Sequence, residues 1–506
     1  MKSCKTILLI IFGVLFFSCK EQPLTTLIVT DAGKVEGVQE NGFMSFKGIP
    51  FAAPPVGDLR WKEPQPVKHW EGVLKANEFG PASPQAQKLR QSEDCLYLNV
   101  WTPAKVASEK LPVMFWIHGG GFVAGAPLEP TYFGEKLTQK GVIFISVTYR
   151  LGALGFLAHP ELTAESPNKT SGNYGILDMI AGLKWVQKNI AAFGGDPAKV
   201  TIFGESAGGA AVSVLCASPL AKGLFVGAIC ESGGNFSPVD ERNTLKGTEK
   251  SGLEFMKDMG ANSLAELRKI DVQKFFETRG NYGFRPNVDN YVLTGDQYKL
   301  YEAGQYNDVN VIIGSNSDEG GMFVRQQIEP DAYIKGLKER YGDFADKFLT
   351  LYPGNTKEQA TYSSADMTRD SGFGWASWTW ARLQSHTGKS KVFMYYFEQK
   401  QPEMPNMPFK LRGAPHAAEI KYVLQTIDKK RYGPEDIKLS ETMATYWTNF
   451  AKNGDPNGEN LPVWSAFTEL NPIYMYFNSN PALGPVPNLS NLELFDEYYK
   501  FKRESK

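Results

Sequence analysis

A serine set between glycines, Gly204-Glu205-Ser206-Ala207-Gly208, is the segment of this sequence best suited to covalent chemistry. A serine hydroxyl is a weak nucleophile until a turn presents it and a base takes its proton. The five-residue pattern occurs by chance; its surroundings make it informative. It follows the apolar run Val200 to Phe203, read as a short strand, and precedes Gly209-Ala210-Ala211-Val212, where a helix reaching Cys216 begins. Strand, tight turn and helix make a nucleophile elbow, in which glycines admit a turn too close for a Cβ and the hydroxyl stands above the sheet. The N–H of Ala207, at the helix start, would then face a developing oxyanion. The alternative is a glycine-rich turn with a solvated serine.

A second segment, His118-Gly119-Gly120-Gly121-Phe122, follows the apolar run Val113 to Ile117. Consecutive glycines bare their backbone N–H groups, and an oxyanion needs two or three such donors aimed at one point. His118 is a base by residue type, but its place inside the glycine loop suits a structural role.

The elements that must hold these loops follow from pattern. Residues 23–75 read as hairpins and turns. Buried strands are expected at Val113 to Ile117, Val142 to Tyr149, Val200 to Phe203, Val226 to Cys230, Val309 to Gly314 and Val392 to Phe397. Ile176, Met179, Ile180, Leu183, Val186 and Ile190 recur at helical spacing, which predicts an amphipathic helix over Ile176 to Phe193. Met443 to Ala451 reads as a late helix, and residues 240–300 and 325–385 as helical insertions. Strands alternating with helices imply a mainly parallel sheet covered on both faces, an α/β fold. No linker divides the chain, so residues 20–506 are expected to form one domain.

With 54 basic and 55 acidic side chains and a net charge of −1, the 506-residue chain lacks the concentrated basic face that nucleic acids need. Lys2 and Lys5 precede the apolar run Ile7 to Phe17, which is too short for a comfortable membrane span and suits a signal peptide over residues 1–19. Its end, Phe16-Phe17-Ser18-Cys19, looks like a bacterial lipoprotein processing box, with Phe16 where Leu is commoner; the alternative is an ordinary secretory signal. An exported protein is expected, anchored at Cys19 in the cell envelope or secreted, with no other membrane contact. Cys95, Cys216 and Cys230 lack the paired spacing of a disulfide framework and read as buried thiols, with room for at most one bridge.

Taken together these segments resemble the type-B carboxylesterases, the α/β-hydrolase branch that includes cholinesterases and bacterial para-nitrobenzyl esterases. The resemblance runs through most of residues 30–450. It is carried by Lys47-Gly48-Ile49-Pro50-Phe51-Ala52, Glu93-Asp94-Cys95-Leu96-Tyr97-Leu98-Asn99, the glycine loop, Gly172-Asn173-Tyr174-Gly175 leading to Asp178, the serine turn, and Gly413-Ala414-Pro415-His416.

The resemblance implies a catalytic order of Ser, acid, His. Asn316-Ser317-Asp318-Glu319-Gly320 matches the acid motif with Glu319 as the acid and Asp318 as the neighbouring alternative; Asp289 matches a pocket segment. Of His69, His118, His159, His386 and His416, the last lies after the acid in the family's motif. Ser206 would then attack an ester carbonyl, with His416 as base, Glu319 orienting it, and Gly120, Gly121 and Ala207 holding the oxyanion. Gly119 would shape the loop. The resemblance also implies buried pairs Arg60–Glu93 and Arg150–Asp178, and a hydrogen bond from Ser232 to Glu319. Glu205, Phe122, Phe284, Phe373 and Trp375 are expected at the substrate pocket, the aromatics being equally suited to core. No cofactor or metal is required, and the partner is a small-molecule ester. An amidase, thioesterase or lactonase using the same residues, or a non-catalytic binding protein on this scaffold, are the alternatives. The short loop between Ser83 and Cys95 lacks both the relatives' disulfide and a tryptophan, so choline esters are not expected.

Overall fold

The computed structural model describes residues 23–277 and 282–505. The expected signal region, with Cys4 and Cys19, lies outside them. An eleven-stranded sheet organises the chain. Its centre runs Ile143–Val147, Leu111–Ile117, Gly195–Glu205, Gly227–Glu231, Asn310–Asn316, Val392–Phe397 and Ile473–Phe477 side by side, every neighbouring pair parallel. Antiparallel strands finish both edges: Tyr97–Thr102, Met44–Pro50 and Val38–Gln39 on one side, Ala482–Pro485 on the other. The outermost strands, Val38–Gln39 and Ala482–Pro485, are largely exposed, and Tyr97–Thr102, though buried on both faces, breaks its apolar run with Asn99 and Thr102.

Alternation along each strand sends side chains to two separate cores. Val113, Phe115 and Ile117 enter one with the helix Tyr174–Asn189, whereas Met114 and Trp116 enter the other with the helix Pro434–Asn453. Val392, Met394 and Tyr396 divide from Phe393, Tyr395 and Phe397 in the same way. The helix expected from Ile176 begins two residues earlier, at Tyr174, and tightens to a 3-10 turn over Ile190–Phe193 before the left-handed Gly194 stops it. Val142 to Tyr149 shortens to Ile143–Val147 because the chain leaves the sheet to deliver Arg150 to Asp178. Before residue 76, Leu27–Val29, Lys34–Glu36 and Val73–Lys75 form a small separate sheet.

The two helical insertions are present. The first holds Leu245–Asp258 and Gln297–Glu302; the second holds Pro330–Tyr341, Ala345–Leu351, Lys357–Arg369 and Trp375–Thr387. A final helix, Leu489–Glu504, for which the sequence pattern carries no expectation, packs on the second insertion through Phe495 against Phe348 and Tyr499 against Trp375. Arg150 and Asp178 are joined at 2.7 and 2.8 Å with almost no exposure, and Arg60 meets Glu93. Cys95, Cys216 and Cys230 are buried free thiols. Among the described residues no helix is long and apolar enough to cross a membrane.

Candidate active site

The strand Gly195–Glu205 runs straight into Ser206, and the helix Ala207–Ala217 leaves from it. Ser206 has φ 57° and ψ −120°, a conformation that costs a non-glycine residue about 1–3 kcal/mol. Its N–H donates to the Glu231 carbonyl at 2.9 Å, and its carbonyl accepts from the Ala210 N–H at 2.8 Å. The flanking glycines are sterically required. A Cβ at Gly208 would stand 2.0 Å from the Ile117 carbonyl oxygen, and one at Gly204 would stand 2.5 Å from the same atom. The turn is pressed against the end of the neighbouring strand.

His416 arrives from a distant loop, and Asp318 is what brings it. The Asp318 carboxylate accepts from the N–H groups of Arg412 at 2.6 Å and Gly413 at 3.2 Å, while the Asp318 N–H donates to the Ala414 carbonyl at 2.8 Å. This ties the loop before His416 to the end of the strand Asn310–Asn316. Asp318 is thereby occupied, and the next residue, Glu319, faces the ring. His416 Nδ1 lies 2.6 Å from Glu319 Oε2, and Nε2 lies 2.8 Å from Ser206 Oγ. With the Nδ1 proton donated to the carboxylate, Nε2 is left to accept from the hydroxyl. Glu319 Oε1 accepts from the Asn316 N–H at 2.7 Å and from the Ser232 hydroxyl, so the acid is held from both sides. Phe373 and Phe323 pack on the imidazole, with centroids at 4.8 and 5.3 Å.

The other histidines are otherwise engaged. His118 is fully buried, stacks on Tyr149 and contacts the Gly119 carbonyl through Nδ1 at 2.9 Å; burial lowers its pKa to about 4, which keeps it neutral. His159 caps the helix Pro160–Glu165 through Nδ1, and His386 lies exposed beside Glu469. Asp289 accepts from the N–H groups of Tyr291, Val292 and Leu293, holding a turn.

Two further carboxylates, Glu205 and Glu419, act on the ring, and a third, Glu231, lies near those two; the sequence assigned none of them this arrangement. Glu205 Oε1 stands 3.3 Å from His416 Nε2, a charge contact without a hydrogen bond, since that nitrogen is directed at Ser206. Glu419 lies 3.2 Å from Ser232 Oγ, whose proton is directed at Glu319, and accepts from the Asn316 amide. Glu231 accepts from Trp447 Nε1 at 2.7 Å. Burial pushes Glu205 and Glu231 well above the ordinary carboxylate range, and burial with the nearby Glu319 charge raises Glu419 to about 7. Burial alone would lower His416, but the charges of Glu205 and Glu319 overturn this and raise it to about 10. The upward direction does not depend on Glu205 alone, because Glu319 accepts the Nδ1–H hydrogen bond whatever the state of Glu205. Glu205, next to Ser206, and Glu419, three residues after His416, were the sequence signals for the cluster.

The glycine loop lies across the elbow. Gly120 has φ 107°, and a Cβ there would stand 2.1 Å from the Ala124 carbonyl oxygen. Among the described residues, no acceptor takes the N–H of Gly120, Gly121 or Ala207. Gly121, Ala207 and Ser206 line a cavity of about 240 Å³ with Phe122, Val214 and Phe373. Glu205 is not on its wall; its Oε2 lies under the glycine loop, 2.7 Å from where a Cβ of Gly119 would stand. Two expected pocket residues lie elsewhere. Trp375 is fully buried, donates to Asp496 at 3.0 Å and packs on Tyr499; Phe284 turns into the Phe255–Tyr282 cluster. Arg285, Pro286 and Asn235 take their place on the wall. Among the described residues, no group of three or more His, Cys, Asp and Glu side chains is arranged to hold a metal ion.

The model of the carboxylesterase family matches residues 24–494. A fumonisin B1 esterase of Sphingopyxis macrogoltabida is 38% identical over 499 residues, covering 91% of this chain and 88% of that protein. The para-nitrobenzyl esterase of Bacillus subtilis (strain 168) is 37% identical over 478 residues, covering 88% and 93%. A solved para-nitrobenzyl esterase structure superposes with a TM-score of 0.81 at 35% identity, over 93% of this chain and 99% of its own.

Proposed function

The chain belongs to the carboxylesterase family and hydrolyses carboxylic esters, and on that premise we propose that Ser206, His416 and Glu319 carry out the reaction. Ser206 Oγ attacks the carbonyl carbon while His416 Nε2 takes its proton. The tetrahedral oxygen is received by the N–H groups of Gly120, Gly121 and Ala207. His416 then returns the proton to the leaving alcohol, and Glu319 stabilises the imidazolium in between. Water repeats the sequence on the acyl-enzyme and frees the acid. The observation that carries this reading is the continuous chain from Ser206 Oγ through both ring nitrogens to Glu319, at 2.8 and 2.6 Å. Replacing Ser206 with Ala should lower kcat/KM on a simple ester by on the order of 10⁴-fold or more with an unchanged far-UV spectrum. Turnover within tenfold of the parent would remove Ser206 from this role.

Relatives named for fumonisin B1 and for para-nitrobenzyl both align over nearly their full lengths. Membership therefore assigns the bond and leaves the acyl and alcohol groups to the cavity. The reading extends to export. Lys2, Lys5, the run Ile7 to Phe17 and Ser18-Cys19 support a lipoprotein whose Cys19 becomes the lipid-bearing first residue. Changing Cys19 to Ala should move the protein from the membrane pellet to the soluble fraction; a parent protein already soluble would end the anchor reading.

A further inference from the structure

Among the described residues, Arg285 is the only charged side chain on the wall of the Ser206 cavity. Its surroundings leave it unneutralised. It takes part in no ion pair or hydrogen bond among the described residues, and the preceding Thr278-Arg279-Gly280-Asn281 contains no acid. Asn235, on the same wall, likewise has an amide with no partner among the described residues. Glu205, Glu231, Glu319 and Glu419 are buried and none of them is on the wall.

Arg285 is also well mounted. Pro286 follows it, and the next residue, Asn287, is buried and locked. Its N–H donates to Asn173 Oδ1 at 3.0 Å, and its side chain accepts from Asn173 Nδ2 at 2.8 Å and donates to Thr248 Oγ1 at 2.7 Å. The Val288 N–H donates to the Asn243 carbonyl at 2.9 Å. The backbone that carries the guanidinium is therefore fixed to the first insertion and to the helix Tyr174–Asn189. Phe122, Val214 and Phe373 give the same wall its apolar side chains.

A guanidinium presents a planar fork that matches a carboxylate, and a fork left unpaired beside an apolar cavity selects an anion on a short apolar spacer. We infer that Arg285, with Asn235, selects esters that carry a free carboxylate a few bonds from the scissile carbonyl, such as monoesters of dicarboxylic acids. This rests on Ser206 as the nucleophile. Arg285 here sets specificity and takes no part in bond making.

The test compares matched esters. Mono-4-nitrophenyl adipate and 4-nitrophenyl hexanoate differ by a carboxylate on the acyl side; 4-acetoxybenzoate and 4-methylphenyl acetate differ by one on the alcohol side. Arg285→Gln should lower kcat/KM on the acid-bearing member of at least one pair about tenfold more than on its neutral partner, mainly through KM. Arg285→Lys should retain part of that preference, and raising salt from about 50 to about 500 mM should shrink it in the parent. Equal effects of Arg285→Gln on both members of both pairs would leave a solvated surface arginine only, and overturn the inference. Ser206→Ala distinguishes the two failures: turnover surviving in that variant sinks the nucleophile, whereas its loss beside an indifferent Arg285→Gln sinks the anion site alone.

Discussion

At the scale of single residues, the site is governed by how many negative charges one buried imidazole can answer. Glu205, Glu231, Glu319 and Glu419 cannot all ionise within the same desolvated volume, and His416 is the only cation among them. Each ionised neighbour favours the imidazolium, so the base holds its proton to higher pH than an isolated histidine does. Since His416 must be neutral to accept from Ser206, the acid limb of kcat/KM should lie above the ordinary histidine value. Glu205→Gln removes the nearest negative charge from Nε2, which weakens the imidazolium and should move that limb to lower pH. A pH profile on a neutral ester measures it; a limb that stays in place would mean that Glu205 contributes no charge to the ring. The resemblance pointed to Glu319 with Asp318 as its alternative, and the choice turns on geometry. The Asp318 carboxylate is occupied by the N–H groups of Arg412 and Gly413, leaving Glu319 to the ring.

At the scale of elements, glycines at the elbow and in an insertion helix should respond in opposite directions. Gly208 lies where the helix Ala207–Ala217 touches the end of Leu111–Ile117, and the atom a Cβ would meet belongs to rigid backbone. Gly208→Ala should destabilise the protein by about 3 kcal/mol and displace Ser206, visible as a lower denaturation midpoint and lower kcat. Gly336 sits exposed inside the helix Pro330–Tyr341 with nothing within 4 Å of its Cβ position. Gly336→Ala should add about 0.5–1 kcal/mol, from helix propensity alone, with activity unchanged. A Gly208→Ala protein as stable as its parent would contradict the close packing of the elbow. The elbow, the glycine loop and the central strands were legible because their causes are local: the space for a Cβ, or an apolar run buried on both faces. Tyr97–Thr102 was not, since Asn99 and Thr102 interrupt its apolar pattern and its pairing with Ile143–Val147 defines it.

At the scale of the whole molecule, chain order and sheet order are interleaved. Leu111–Ile117 lies between Ile143–Val147 and Gly195–Glu205, and the sheet ends in strands from near both ends of the described chain, Val38–Gln39 and Ala482–Pro485. Both main cores draw on the two ends of the described chain, Ile28 with Phe495 in one and Phe43 with Phe477 in the other. Urea unfolding followed by tryptophan fluorescence and by far-UV dichroism should therefore give one coincident transition. Two separated transitions would show that the sheet is divided into independent units.

The residue order alone determined what depends on neighbours in the chain: a serine on a turn that excludes side chains, a run of bare amides after a strand, and alternating strands and helices. Through its family resemblance it also pointed to an acid and a base. Only the tertiary structure decided what depends on residues meeting across the fold. It set His416 against Ser206 across 210 positions, brought three carboxylates to bear on one ring, sent Trp375 and Phe284 into packing, and left Arg285 on the cavity wall. An aromatic or an arginine has the same spacing in sequence whether it faces a core, solvent or a substrate. Its environment is fixed by which distant segments the sheet brings beside it.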